Sequence, residues 1–351
     1  MDPILRAGIE ALPSYVPGRT IPGAIKLASN EVSLPPPERV LAAIAEAAAA
    51  GNRYPDNGVI GLTAKIAERR GVSPEQVAVS CGSVSLLPQL LQITCTGAED
   101  EVLFAWRSFE MYPIVSKVIG ATPVTVPLDA DARHDLAALA RAVTPRTRVL
   151  FLCSPNNPTG PAIRRDELLT LLDAIPPRVL VVLDEAYREF VTDPDAPDGI
   201  DLLPGRPNLV VLRTFSKAYR LAGIRVGYAV GAPQVISALR KVYVTFSVSS
   251  LAQAAAGAAL DCLDELEPSW AEITKERSRV LGALGEAGFA VPESQANFVW
   301  LPLGDDAVPF SEHCERHKVV VRPFAGSGVR VSVAGAEEND AFLAVARAWS
   351  G

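Results

Sequence analysis

The sequence predicts a three-layer α/β protein, with a large domain on a mostly parallel central sheet and a smaller α/β domain beside it. Three observations carry that prediction. Residues 148–153 (RVLFLC), 179–183 (VLVVL) and 209–212 (LVVL) are continuous apolar runs, as expected of parallel strands buried on both faces. Each run ends in a polar cluster: SPNNPTG, DEAY and RTFSK. Between the first two lies RRDELLTLLDAI, whose apolar residues recur at three and four, giving a helix long enough for a right-handed crossover. Polar groups gathered at the carboxyl ends of such strands mark the ligand crevice of an open α/β sheet.

The remaining elements follow in order. Residues 1–27 are punctuated by prolines and read as a short helix and an extended arm, and LASNE at 27–31 closes a strand with polar side chains. The alanine-rich stretch 41–50 contains Glu46 and reads as a surface helix, and NRYPDN at 52–57 is a turn-rich loop. A strand at 77–80 feeds CGSVS and a helix at 86–93; a glycine turn into a helix start exposes backbone N–H groups, which suits Ser83 and Val84 to a phosphate. Strands at 101–106 and 122–127 precede the three apolar runs, and 251–263 is helical. From about Pro268 short strands alternate with helices: a helix at 270–285, NFVWL, a helix at 310–317, KVVVRPF, GVRVSVAG and a final helix at 338–350. The domains are expected at 30–265 (large) and at 1–29 with 266–351 (small).

Composition narrows the function. The 351 residues are 49% hydrophobic and 21% charged, which describes a soluble globular chain. A formal net charge of −7 gives no support for a nucleic-acid surface, and no run approaches a membrane span. Five scattered cysteines show no metal or disulfide spacing, and a reducing cytoplasm is the expected location. With three histidines, of which His313 and His317 read as a solvated helix face and His134 sits in a polar segment, no metal is expected and a histidine triad is poorly supported. A lysine or a carboxylate is the better proton carrier.

The stretch 208–228, NLVVLRTFSKAYRLAGIRVGY, concentrates the chemistry. Lys217 follows a strand end. A lysine is mostly protonated at neutral pH and needs help to react, for instance by being held on an aldehyde. The hydroxyls of Thr214 and Ser216 and the guanidinium of Arg225 would suit a phosphate on that aldehyde. Taken alone, Lys217 reads as a solvated loop lysine, Asp184 as a strand-ending cap, residues 157–160 as an Asn-Pro turn, and Arg330 as a solvent-facing residue of the alternation VRVSV.

Together these motifs resemble the fold-type-I aminotransferases, in the branch of histidinol-phosphate aminotransferase, from YVPG at 15–18 to VRVSVAG at 329–335. The resemblance implies pyridoxal 5'-phosphate as cofactor, held on Lys217. Asp184 would face the pyridine nitrogen, Asn157 and Tyr187 the phenolic oxygen, and Phe109 would stack on the ring. Tyr54 would reach the phosphate of a neighbouring subunit, making a homodimer the catalytic unit. Arg330 would grip the substrate carboxylate, with Tyr15, Asn30 and Arg322 as further substrate contacts.

Two departures bear on the substrate. The family's histidinol-phosphate enzymes usually carry an acidic pair where this chain has Val84 and Ser85, and often an asparagine where it has Ser247. These features favour an aromatic amino-acid transaminase working with 2-oxoglutarate. Histidinol-phosphate aminotransferase is the alternative, followed by a related amino-acid-phosphate decarboxylase or a non-catalytic regulator.

Overall fold

The apolar runs do form a buried sheet. A computed structural model describes Ile9, Leu12 and residues 18–349; Tyr15 lies outside the described residues. Twelve strands occur among them: β1 Ile25–Lys26, β2 Val77–Ser80, β3 Glu101–Trp106, β4 Thr122–Pro127, β5 Thr147–Cys153, β6 Leu180–Asp184, β7 Leu209–Thr214, β8 Gly227–Gly231, β9 Phe298–Gly304, β10 Val319–Val320, β11 Arg322–Phe324 and β12 Ser327–Ser332. The seven-stranded sheet runs β2-β8-β7-β6-β5-β3-β4. All neighbours pair in parallel except β8, which is antiparallel to both β2 and β7.

The continuous apolar character of the central strands has a direct cause. In β5, Val149 and Phe151 join one apolar cluster while Leu150 and Leu152 join another, so both faces are covered. The same division holds in β6, where Val181 and Leu183 belong to one cluster and Leu180 and Val182 to the other. A strand between two apolar layers has no solvent face on which to alternate.

A second, three-stranded antiparallel sheet runs β11-β12-β9. Gly328 is required there, because a Cβ would lie 2.3 Å from the Leu301 carbonyl oxygen and 2.5 Å from the Trp300 ring. The N-terminal arm ties onto this side of the molecule: β1 pairs in parallel with β10, Ser332 N–H donates to the Leu27 carbonyl at 2.8 Å, and Asn30 N–H donates to Ser332 Oγ at 2.8 Å.

Three local expectations differ from what forms. Strand β8 was not anticipated; its sequence GYAVG reads as the tail of the lysine stretch, yet it inserts between β2 and β7 with every residue buried. The helix expected at 270–285 begins earlier, spanning Leu263–Glu286 with Pro268 inside it. Pro268 is the sixth residue of this helix and forfeits one intrahelical bond, yet the helix runs on through it, so it does not mark a boundary here. His134, read as lying in a polar segment, is buried, and burial pushes its imidazole pKa down to about 4. Among the described residues no helix is long and apolar enough to cross a membrane.

Candidate active site

Four parallel strands deliver their carboxyl ends to one cavity of about 530 Å³. The segment after β3 brings Ser108 and Phe109, and β5 brings Cys153 and then Asn157. From β6 comes Asp184 followed by Tyr187, and from β7 come Thr214, Ser216 and Lys217. The second sheet closes the cavity with Arg322, Phe324 and Arg330, and the N-terminal arm contributes Asn30. Ser83, Val84 and Arg225 line it as well.

Lys217 is partly buried, and its Nζ donates to the Ser29 carbonyl oxygen at 2.9 Å. Burial lowers its pKa to about 7, and the positive charge of Arg330 acts in the same direction. A lysine at that value is substantially neutral at physiological pH and therefore nucleophilic and basic. Asp184 is buried and shifted the opposite way, up to about 6, because burial disfavours its charge. Tyr112 O–H donates to its Oδ2 at 3.1 Å, while the buried Oδ1 makes no hydrogen bond among the described residues.

Polar contacts lock the other groups. Asn30 Nδ2 donates to Tyr187 Oη at 2.9 Å, and burial pushes the Tyr187 phenol up. Arg330 Nη1 donates to Asn157 Oδ1 at 2.5 Å and Nη2 to the Ala28 carbonyl at 2.8 Å, with its guanidinium over the rings of Phe298 and Phe324. As the middle strand of its sheet, β12 holds Arg330 against the cavity, so only 8% of the residue is exposed and the solvent-facing reading is corrected.

At the other end of the cavity, two glycines set a close backbone approach. A Cβ on Gly227 would lie 2.4 Å from Ser83 N, and one on Gly82, whose φ is 76°, would lie 2.5 Å from Arg225 Nη2. Arg225 Nη1 donates to Ser216 Oγ at 3.4 Å and to the Ala222 carbonyl at 2.8 Å, and Ser216 N–H donates to Thr214 Oγ1 at 3.0 Å.

Tyr54 is the predicted residue that the cavity does not include. It is 82% exposed and stacks on Phe246 at 4.5 Å. Sequence reasoning missed Tyr112, which supports Asp184, and Glu110, which pairs with Arg322 at 3.0 Å. Both lie in RSFEMY, but nothing in the spacing shows which strand end they face. Among the described residues, no group of three or more His, Cys, Asp or Glu side chains is arranged to hold a metal ion.

A mostly parallel sheet with a lysine amine and a buried carboxylate at neighbouring strand ends places this chain among the α/β proteins whose ligand crevice lies at the strand carboxyl ends. The family model of aminotransferase class I and II matches residues 22–347, and the chain belongs to that family. It is 55% identical over 345 residues to an aromatic amino acid aminotransferase of Mycobacteroides abscessus, covering 98% of this chain and 99% of the relative. A protein of the same name from Thermobifida fusca is 54% identical, over 99% of this chain and 97% of its own length. Among solved structures, histidinol-phosphate aminotransferase from Sinorhizobium meliloti in complex with pyridoxal-5'-phosphate superposes with a TM-score of 0.86. It is 31% identical and covers 93% of this chain and 92% of its own. The chain is an aminotransferase enzyme.

Proposed function

We propose that this aminotransferase uses pyridoxal 5'-phosphate to move the amino group between an aromatic amino acid, phenylalanine or tyrosine, and 2-oxoglutarate. The single observation that carries the cofactor reading is the pairing of Lys217, an amine at about pKa 7, with Asp184, a buried carboxylate whose Oδ1 has no hydrogen bond, in one cavity. An amine suits an aldehyde, and an unsatisfied buried carboxylate oxygen suits a protonated pyridine nitrogen. The hydroxyls of Thr214 and Ser216, the guanidinium of Arg225 and the close-packed turn at Ser83–Val84 fit a phosphate. Bound there, the cofactor supplies an electron sink for the substrate's Cα.

The chain's own groups do the rest. Lys217 would hold the cofactor through its amine, and its neutral form would serve as the general base toward the substrate's Cα proton, an effect of roughly 10²–10⁴-fold. Asp184 would favour a protonated ring nitrogen by ion pairing with it. Asn157 and Tyr187 would hold the phenolic oxygen, Phe109 would pack on the ring, and Arg330 would grip the α-carboxylate with Asn30 beside it. Tyr15 is proposed as a further substrate contact. We assign residues 30–265 to a large domain and 1–29 with 266–351 to a small one. The enzyme acts in the cytoplasm as a homodimer in which exposed Tyr54 completes the neighbour's site.

The aromatic preference is supported by the names of the relatives at about half identity. It is also supported by Arg322, the residue best set to meet a distal phosphate, being already engaged by Glu110 at 3.0 Å. An amino-donor screen against 2-oxoglutarate tests it. Phenylalanine and tyrosine should give the highest kcat/KM; a strong preference for histidinol phosphate overturns the assignment. Release of carbon dioxide without an amino acceptor would make the enzyme a lyase instead.

A further inference from the structure

We infer that Glu110 is a specificity-determining residue: by occupying Arg322 it sets how readily the cavity accepts a side chain that carries a second anionic group. The inference rests on the transaminase reading of the cavity and deepens it. Arg322 on β11 and Arg330 on β12 are direct cross-strand partners, so their side chains leave the sheet on the same face. Both guanidiniums lie over the Phe324 ring, at 5.6 Å and 5.8 Å. Both residues line the cavity, as does Glu110.

Like charges directly opposite one another in a sheet repel. Glu110 relieves that repulsion from across the cavity, its Oε2 accepting from Arg322 Nη2 at 3.0 Å. The carboxylate comes from the residue just before helix Met111–Ile119, so the ion pair joins the large sheet's side of the cavity to the small sheet. The Glu110 side chain is 32% exposed and Arg322 12%, so water reaches the pair and the bond is weak enough to exchange.

Two classes of substrate meet this pair differently. An aromatic side chain brings no charge and enters with the ion pair intact, against Phe109 and Phe324. A dicarboxylic or phosphorylated side chain, that of the proposed acceptor 2-oxoglutarate included, brings an anion that must displace Glu110 from Arg322, or bind beside a like charge. Glu110 therefore penalises the second class relative to the first. An acidic residue at a helix start also complements the helix dipole. That purely structural role would alter stability without altering the ratio between substrates.

The test measures single-turnover amino-group transfer from phenylalanine and from glutamate to the cofactor-loaded enzyme. It compares the wild type, Glu110→Gln, Arg322→Gln and the double variant. Glu110→Gln should raise kcat/KM for glutamate relative to phenylalanine about fivefold, the upper scale of a partly exposed ion pair. Arg322→Gln should lower the same ratio, and the double variant should follow Arg322→Gln. An unchanged ratio in Glu110→Gln, or a gain that survives in the double variant, overturns the inference. Should Glu110→Gln not fold, Arg322→Gln decides, an unchanged ratio overturning it. A wild type that takes the amino group from neither compound overturns the transaminase reading itself.

Discussion

The phenol of Tyr112 donates to Oδ2 of Asp184 at 3.1 Å, while the other carboxylate oxygen has no partner among the described residues. Tyr112 is itself immobilised, fully buried and stacked on Phe151 at 4.6 Å with the planes 4° apart. The carboxylate is thus aimed by one bond and open on its other side. That bond favours the charged form of Asp184, against the burial that raises its pKa to about 6. Tyr112→Phe keeps the ring packing and removes only the donor. Its kcat should fall about tenfold, the scale of a hydrogen bond to a charged group. The acid limb of the rate profile should move to higher pH, because Asp184 then ionises less readily. A drop in thermal stability with an unmoved pH profile would mean that Tyr112 only fills space.

Lys217 carries a different pH signature. Its folded pKa of about 7 lies below the unfolded value of 10.5, so between those values the unfolded chain binds more protons. Stability of the cofactor-free protein should therefore rise with pH through that window, and the rise should be smaller in Lys217→Met. The same shift governs cofactor uptake, since only the neutral amine attacks an aldehyde. Stopped-flow uptake monitored by absorbance should accelerate through pH about 7. An acceleration that begins only above pH about 9 would mean an ordinary exposed lysine.

Gly227 tests the cradle at the opposite end of the cavity. An added Cβ meets Ser83 N at 2.4 Å and both the Arg213 carbonyl oxygen and the Gly82 carbonyl carbon at 2.9 Å, all backbone atoms. Rotamer changes cannot relieve such contacts, so the turn carrying Ser83 must move. Overpacking of this kind costs about 1–3 kcal/mol. Gly227→Ala should lower Tm and weaken pyridoxal-phosphate affinity together, read by calorimetry and by cofactor titration. Undiminished affinity would separate the turn from phosphate binding.

Behind the site, Arg213 on β7 is buried with Glu185, whose Oε2 accepts from its Nε at 2.8 Å, and its Nη2 donates to half-buried Asp198 at 2.7 Å. Glu185 also accepts from Gly199 N–H at 3.0 Å. It directly follows Asp184, so this network fixes the strand end that carries that carboxylate into the cavity. Breaking one partner of a buried pair leaves the other uncompensated, typically at about 3–5 kcal/mol. Glu185→Ala should destabilise by that scale in urea unfolding. A change below about 1 kcal/mol would show that the remaining partner, Asp198, suffices.

These contacts also mark what the sequence could and could not display. The places of Asn157, Asp184 and Lys217 near strand ends were legible because each comes after a short apolar run that the pleat of a doubly covered sheet makes continuous, whereas their roles were implied only by the resemblance. Strand β8 was hidden by its own sequence: GYAVG opens with a glycine demanded by contact with Ser83, and its antiparallel direction places it outside the alternation of strand and helix. Arg330 was ambiguous in VRVSV because a period of two cannot tell the covered face of a three-stranded sheet from the exposed one. Tyr112 and Glu110 were invisible for a related reason. Their partners, Asp184 and Arg322, lie 72 and 212 positions away, and only the assembled sheets bring them together.

Tyr54 stands outside its own chain's cavity, and that position makes the shared-site proposal testable without a structure of the dimer. It is 82% exposed, stacked on Phe246, with Ile60 at 71% and Val244 at 64% exposure as further large apolar side chains in contact with solvent. If each site takes Lys217 from one subunit and Tyr54 from the other, a hybrid of Lys217→Ala and Tyr54→Phe chains has unequal sites. One holds both lesions; the other holds neither, because its lysine comes from the Tyr54→Phe chain and its tyrosine from the Lys217→Ala chain. Mixing the two variants after reversible dissociation should therefore regenerate sites with wild-type kcat and cofactor affinity, absent from either parent. Were Tyr54 to act within its own chain, every hybrid site would carry one lesion. Activity would then never exceed the average of the two parents.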